Sequence, residues 1–343
     1  MILDSVLKEF GLNASQVTIA PIHQGLINQT WKIAQNEHAF ILQQVNNTVF
    51  QNPENIAFNI EEISMYLKCQ HPDYFFVSPV KTFDGSELVY KNEDSYFRVF
   101  PFVQDSHAIN VVENPDQAYE GAKQFGKFTA VLSNFDCSKL KITIPNFHNL
   151  SLRYEQFEDS LKSGNNNRLK ESDTLIIQLK KWSNIVAEFK KIKTLGDFKL
   201  RVTHHDSKIN NVLFDKNNKG LCVIDLDTVM PGYFISDVGD MMRTYLSPVS
   251  EEEKDFSKII IRKEYYEAIV DGYMSEMQDE LTAFEKKYFF YAGKFSIYMQ
   301  ALRFLTDYLN DDKYYGSSYP GQNLIRASNQ IALLQKYMEA ELN

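Results

Sequence analysis

The residues of this chain whose types and spacing could do chemistry crowd between Thr203 and Asp227. His204, Asp206 and Asn211 stand in the order His-x-Asp, then an asparagine five positions on. That spacing suits transfer of a phosphoryl group to a hydroxyl. One carboxylate orients the attacking hydroxyl and accepts its proton, while a nearby amide oxygen holds a magnesium ion. Asp206 fits the first task and Asn211 the second. Lys208, between them, brings a charge to set against the γ-phosphate.

The elements around these residues must bring a second metal ligand to them. Residues 212–214 and 221–224 read as two short strands, joined by Asp215-Lys216-Asn217-Asn218-Lys219-Gly220, which has hairpin turn chemistry. Such a hairpin returns the chain to the loop and sets Asp225 beside Asn211. Both would offer the oxygen ligands that hard magnesium prefers.

Three runs carry a wider resemblance: Asp206-Ser207-Lys208-Ile209-Asn210-Asn211-Val212-Leu213-Phe214, Asp225-Leu226-Asp227-Thr228-Val229-Met230-Pro231-Gly232 and Arg303-Phe304-Leu305-Thr306-Asp307-Tyr308-Leu309. With them the chain resembles the aminoglycoside phosphotransferase family of small-molecule kinases, and within it is most similar to the bacterial N-acetylhexosamine 1-kinases. Asp225-Leu226-Asp227, instead of Asp-Phe-Gly, points to this small-molecule branch. The resemblance implies an α+β, bilobal, protein-kinase-like fold. A small antiparallel β-sheet lobe over residues 1–102 would bind nucleotide, and a larger, mainly helical lobe over 103–343 would carry catalysis and substrate. It further implies ATP and Mg2+ as cofactors and a small-molecule acceptor, foremost the anomeric hydroxyl of an N-acetylhexosamine.

The same resemblance assigns the remaining site residues. Gly25 and Asn28 lie in the turn that covers phosphates, and Phe102 and Val103 at the hinge would read the adenine edge through their backbone; Pro101 has no N–H to donate. Arg303 and Tyr314 match positions that contact the sugar beside Asp206, while Asp237 would brace the catalytic loop and Asp240 belong to a helix. Two departures stand out. Leu26 replaces the histidine of a Gly-His-Ile-Asn run that reaches the sugar, with His23 as the nearest substitute. Gln43 stands where a phosphate-binding lysine is usual, so another group, or magnesium alone, must offset the phosphate charge.

Composition excludes other classes. With 343 residues and 44% hydrophobic content the chain can bury a large core. Its net charge of −9, from 36 basic and 45 acidic residues, argues against a nucleic-acid binder. Met1-Ile2-Leu3-Asp4 opens no signal segment and no apolar run spans a bilayer, so no membrane partner is expected. Cys69, Cys137 and Cys222 are odd in number and far apart, which suits a reducing, cytoplasmic compartment.

Pattern places the elements. Residues 3–10 read as a helix stopped by Gly11, and 17–22, 38–45 and 96–100 as strands. Asn52 should cap a helix that runs to about Cys69, with Pro53 in its first turn. Residues 77–80 and 87–91 should form a hairpin about Asp84-Gly85. Asn114-Pro115 opens a helix, and two more should carry Leu150 to Leu161 and Leu175 to Phe189, separated by a loop at 164–167. Ser250 with Glu253, and Thr282 with Glu285, are capping boxes; the second opens a long helix with Tyr288, Tyr291, Phe295, Leu302, Leu305 and Leu309 in its buried stripe. A last helix starts near Asn323, and His148 is a structural histidine. Two rival readings remain: a kinase of an amino alcohol, choline-like amine or aminoglycoside, for which Asp311-Asp312 would receive the cation, and a non-catalytic nucleotide-binding scaffold.

Overall fold

The computed structural model describes residues 2–22, 27–91, 95–340 and 342. Helix α1 (Ile2–Glu9) buries Val6 and Leu7 and is followed by Gly11 at φ +74°, a left-handed position that glycine takes without strain. An antiparallel sheet follows, made of β1 (Thr18–Ile22), β2 (Gln29–Gln35), β3 (His38–Val45), β4 (Val89–Lys91) and β5 (Ser95–Pro101), in the order β1-β2-β3-β5-β4. Strand alternation sends Ile33, Leu42, Phe97 and Val99 to one face, where they pack with Val6, Leu7 and Phe10 in a small apolar cluster. The register of β3 on β5 sets Leu42 against Val99 and, on the opposite face, Gln43 against Arg98. The expected hairpin about Asp84-Gly85 keeps its turn, with Gly85 at φ +87°, but residues 77–80 form no strand. Val80 alone donates to Val99 O, at 2.7 Å, so this stretch only touches the sheet edge.

Between β3 and β4 lies α2 (Pro53–Gln70). Asn52 makes no side-chain cap bond, contrary to expectation, so Pro53 marks this start without help from that amide. By sequence α2 belongs with the sheet, yet its Ile56, Ile60, Ile63 and Leu67 join the large helical core. Asn59 shows why it stays there. Fully buried, its side chain donates to Lys141 O (2.8 Å) and Val229 O (2.9 Å) and accepts from Lys141 N (2.7 Å). A buried amide so satisfied pins the helix to segments flanking the catalytic loop.

The rest is mainly helical: β6 (His107–Ala108), α3 (Pro115–Val131), α4 (Leu150–Ser163), α5 (Asn166–Glu171), α6 (Asp173–Lys181), α7 (Asn184–Thr194), β7 (Arg201–Thr203), β8 (Val212–Phe214), β9 (Gly220–Val223), β10 (Met230–Gly232), α8 (Ile235–Tyr245), α9 (Lys263–Met277), α10 (Phe289–Leu309) and α11 (Gln322–Glu339). Asn114 caps α3 by accepting from Gln117 N at 3.0 Å. The single helix expected through Leu175 to Phe189 is broken: Trp182 N–H and Ser183 N–H reach back only three residues, to Leu179 O and Lys180 O, and this tightened turn ends α6. No helix starts at the Ser250 box, whose hydroxyl serves a turn by accepting from Glu252 N. The Thr282 box forms in full, Thr282 N to Glu285 Oε2 at 2.9 Å and Glu285 N to Thr282 Oγ1 at 3.0 Å. Glu285 also takes Arg201 in a bidentate pair (2.6 and 2.9 Å), which fixes β7 and with it the entry to the catalytic loop.

Candidate active site

The loop after β7 turns sharply at His205, whose φ is +65°. Gly232 permits the turn, since a Cβ there would lie 2.4 Å from His205 Nε2. Asp237, in the first turn of α8, accepts from the N–H groups of His204 (3.0 Å) and His205 (2.7 Å), the bracing expected of it, and Asp240 pairs with Arg243 along the same helix. Ser207 Oγ donates to Asp237 O (2.6 Å), and Tyr245 OH donates to Ser207 O (2.8 Å). Burial pushes the Asp237 carboxyl up to about 7, with the two N–H donors pulling the other way.

Asp206 emerges from this brace next to two of its expected companions. Lys208 Nζ lies 2.8 Å from Asp206 Oδ1, and Asn211 Nδ2 donates to Asp206 O (2.8 Å) and Oδ2 (3.1 Å). Both charged side chains have protein on most sides yet keep an open surface, 23% for Asp206 and 40% for Lys208, as groups lining a cleft do. Burial raises the Asp206 carboxyl, but Lys208, His204 and Arg243 outweigh it and hold the group below its ordinary range. It is therefore a carboxylate at neutral pH.

The hairpin of β8 and β9 closes as expected: Ile224 N–H donates to Asn211 O at 2.9 Å, which delivers Asp225 to the loop. Asp225 adopts the left-handed conformation (φ 60°, ψ 60°), a local strain that short polar side chains tolerate best. Its side chain stays exposed at the mouth of the site, yet the protein packed around it, then the charges of Asp227 and Asp206, raise its carboxyl above the ordinary range. Carboxylates gathered in this way call for a cation, and Asn211, with Nδ2 committed to Asp206, has Oδ1 left to offer. No group of three or more His, Cys, Asp or Glu side chains among the described residues could hold a metal ion alone. Magnesium bound through one carboxylate, one amide and nucleotide phosphates needs no such cage.

The sheet-side residues are placed differently. Asn28 is tied to Asp227 (Nδ2 to Oδ2, 2.7 Å) and accepts from Asn46 N (3.0 Å). Gln43 Oε1 accepts from Arg98 Nε (3.0 Å) and Nη2 (2.8 Å), and Arg98 Nη2 lies 2.5 Å from Asp227 Oδ1, an ion pair without hydrogen-bond alignment. Gly25, with His23 and Leu26, lies outside the described residues. At the hinge, Phe102 N–H is committed to Ala39 O (3.0 Å), so it cannot read adenine as expected; the Phe102 carbonyl and Val103 N–H have no partner among the described residues. Arg98 and Asn59 went unnoticed in the sequence. The one signal for Arg98 was its cross-strand position opposite Gln43, which needs the sheet order to be seen.

On the far side of Asp206, rings lead to Arg303. His205 meets His148 edge-on (5.2 Å), His148 stacks on Phe147 (4.5 Å), and the Arg303 guanidinium lies 5.4 Å from the Phe147 ring. Arg303 also faces the rings of Tyr315 (5.2 Å) and Tyr314 (5.7 Å), and its Nη2 reaches Tyr314 OH at 3.4 Å. Asp307 holds both tyrosine backbones, accepting from their N–H groups at 2.7 and 2.9 Å. The acidic pair that the rival reading gives to an amine has partners of its own: Asp312 takes Arg168 (2.6 Å) and Asn323 (2.8 Å), and the exposed Asp311 accepts from Asn165 (3.0 Å).

A five-stranded antiparallel sheet over a helical body, with the loop carrying Asp206, Asn211 and Asp225 beneath it, defines a bilobal, protein-kinase-like α+β enzyme. Residues 18–273 match the phosphotransferase enzyme family (APH), and the chain belongs to that family. It is a phosphotransferase acting on a hydroxyl group. Among solved structures it is similar to an amicoumacin kinase in complex with AMP-PNP, Ca2+ and amicoumacin (14% identity, 98% of this chain and 93% of that one, TM-score 0.66). It is also similar to a microcompartment-associated aminopropanol kinase (17%, 99% and 98%, TM-score 0.66) and to choline kinase from Cryptosporidium parvum Iowa II (14%, 98% and 95%, TM-score 0.61). At such identities the likeness shows the fold.

Proposed function

We propose that this phosphotransferase moves the γ-phosphoryl group of ATP to the anomeric hydroxyl of an N-acetylhexosamine. The observation that carries the acceptor is Arg303, set among Phe147, Tyr314 and Tyr315, while Asp311 and Asp312 are engaged elsewhere. A cationic acceptor would meet an arginine where it needs a carboxylate. A neutral ring gains an aromatic face and directed N–H donors. The aminopropanol and choline kinases of like fold are named for amines, so the acceptor must be tested against that class.

In this reading Asp206 orients the hydroxyl and takes its proton as the acceptor oxygen bonds to the γ-phosphorus and the bond to the β–γ bridging oxygen breaks. Magnesium held by Asn211 and Asp225 would supply positive charge to the phosphates; the amicoumacin kinase, solved with AMP-PNP and Ca2+, supports a nucleotide and a divalent ion. The Phe102 carbonyl and Val103 N–H are the groups left to read adenine, at the junction of a nucleotide lobe (1–102) and a catalytic lobe (103–343). A cytoplasmic place is in keeping with the three free cysteines, Cys69, Cys137 and Cys222. Release of ADP should be measured with free N-acetylhexosamines, amino alcohols, choline and aminoglycosides, and the product placed by phosphorus NMR. Turnover on the hexosamine with phosphate on the anomeric carbon is expected. Turnover confined to an amine, or phosphate on a primary hydroxyl, would overturn the acceptor and leave the phosphotransferase intact.

A further inference from the structure

We propose that Arg98 replaces the missing phosphate-binding lysine, its guanidinium on β5 being the cation with which the sheet holds the β- and γ-phosphates of the nucleotide. The inference rests on ATP as donor. It begins with register. Gln43 and Arg98 are direct partners across β3 and β5, on the face away from the sheet's own apolar cluster. Gln43 brings no charge, but its Oε1 accepts both Nε and Nη2 of Arg98. The neutral residue at the lysine position thus aims the cation of its neighbour.

Elimination gives the same answer. Residues 2–102 contain six basic side chains: Lys8, Lys32, Lys68, Lys81, Lys91 and Arg98. Lys8 and Lys68 are exposed on their helices, Lys81 pairs with Glu61 (2.9 Å) and Lys91 with Glu9 (2.7 Å). Lys32 sits over the Phe102 ring, 3.8 Å from its centroid, at the hinge. Arg98 alone crosses to the catalytic segment, where Asp227, two residues beyond Asp225, lies 2.5 Å away. Arg98 and Asp227 are 3% and 2% exposed, so the charge works where solvent screens it little.

The guanidinium also has donors to spare. Nε and Nη2 are engaged by Gln43 and Asp227, while Nη1 has no hydrogen-bond partner among the described residues. Its two N–H groups suit phosphate oxygens. Asn28, hydrogen-bonded to the other oxygen of Asp227, joins the segment that follows Gly25 to the same ion pair. One network therefore links the phosphate turn, the cation and the metal side of the site.

The test is direct binding by calorimetry, with magnesium, of adenosine, ADP and AMP-PNP to the wild type, Arg98→Gln, Arg98→Lys and Gln43→Lys/Arg98→Gln, with circular dichroism to check the fold. Arg98→Gln should weaken ADP and AMP-PNP about tenfold or more, the loss of bonds to a charged group, while adenosine binds as before. Gln43→Lys should restore most of that loss. A loss shared equally by adenosine and AMP-PNP makes Arg98 a structural latch and overturns the assignment, as does no loss. Should Arg98→Gln not fold, Arg98→Lys keeps a charge for Asp227; its AMP-PNP to adenosine affinity ratio should fall severalfold, and an unchanged ratio overturns the proposal. Wild-type protein that binds no adenine nucleotide would fail the ATP reading itself and take this assignment with it.

Discussion

The two walls of the cleft are built on different principles. The catalytic wall is a lattice of hydrogen bonds: Asp237 takes two successive backbone N–H groups, Ser207 bonds back to Asp237, and Asn211 bonds twice to Asp206. The acceptor wall is a set of rings around one guanidinium, with Tyr314 63% exposed. Hydrogen bonds to buried backbone set atoms within tenths of an ångström, as a proton and phosphoryl transfer demands. Ring contacts define a face and a size, and they can be exchanged one at a time. The catalytic wall should therefore govern turnover and the acceptor wall affinity.

The largest effect tests the first half of that contrast. Asp206→Asn keeps the shape and the bond from Asn211 but cannot accept a proton, and it removes the charge facing Lys208. Turnover should fall by about two orders of magnitude or more, with AMP-PNP binding retained. Near-normal turnover with full binding would move the base elsewhere and dissolve the contrast.

The contrast also explains what could be read before the fold was known. Asp206, Asn211, Asp225 and Asp237 lie in one short stretch whose spacing is local, so the loop, the hairpin and the brace all follow from neighbours in the chain. The long helix carrying Arg303 follows from its apolar period and from the Thr282 box. Arg98 and Asn59 act across a sheet register and across distant segments, with partners 55 and 170 residues away, and no local pattern marks them. Local signals failed where tertiary packing decided otherwise. Asn52 looks like a cap but bonds nothing in that role, Ser250 with Glu253 looks like a helix start but forms a turn, and the helical run through Trp182 is broken. Phe102 was placed at the hinge by its position after β5, but the commitment of its N–H to Ala39 depends on a strand sixty residues earlier.

A middle-sized effect tests the second half. Arg303 makes no ion pair with a carboxylate among the described residues, so its removal strands no buried charge. Arg303→Ala should raise the KM for the sugar by the equivalent of about 1–3 kcal/mol and leave the KM for ATP nearly unchanged. A defect confined to ATP would place Arg303 on the catalytic wall and erase the division.

The smallest effect concerns His148, where the two walls meet. Its half-buried ring stacks on Phe147 and stands edge-on to His205 and Phe295, and its Nδ1, sealed from solvent, has no hydrogen-bond partner among the described residues. Burial, then the charges of His205, Arg303, Arg243 and Arg153, hold its pKa well below the ordinary value. Loss of water and the three nearby arginines both disfavour its cation, so the folded protein keeps the imidazole neutral. An unfolded chain takes up a proton there near pH 6.5. Below that pH the unfolded state binds more protons at this site, and the histidine's contribution to stability falls as the solution is acidified. Phenylalanine cannot take the proton. His148→Phe should thus differ little from the wild type at pH 7.5 and become relatively more stable as pH falls below about 6.5, by at most about 1.4 kcal/mol per pH unit. Urea unfolding of both proteins at pH 7.5, 6 and 5 measures the difference directly, with the titrations remote from His148, Asp237 among them, cancelling. A difference that stays constant across this range would mean that His148 reaches water or a partner in the folded state, and the seam between the walls would be open, not sealed.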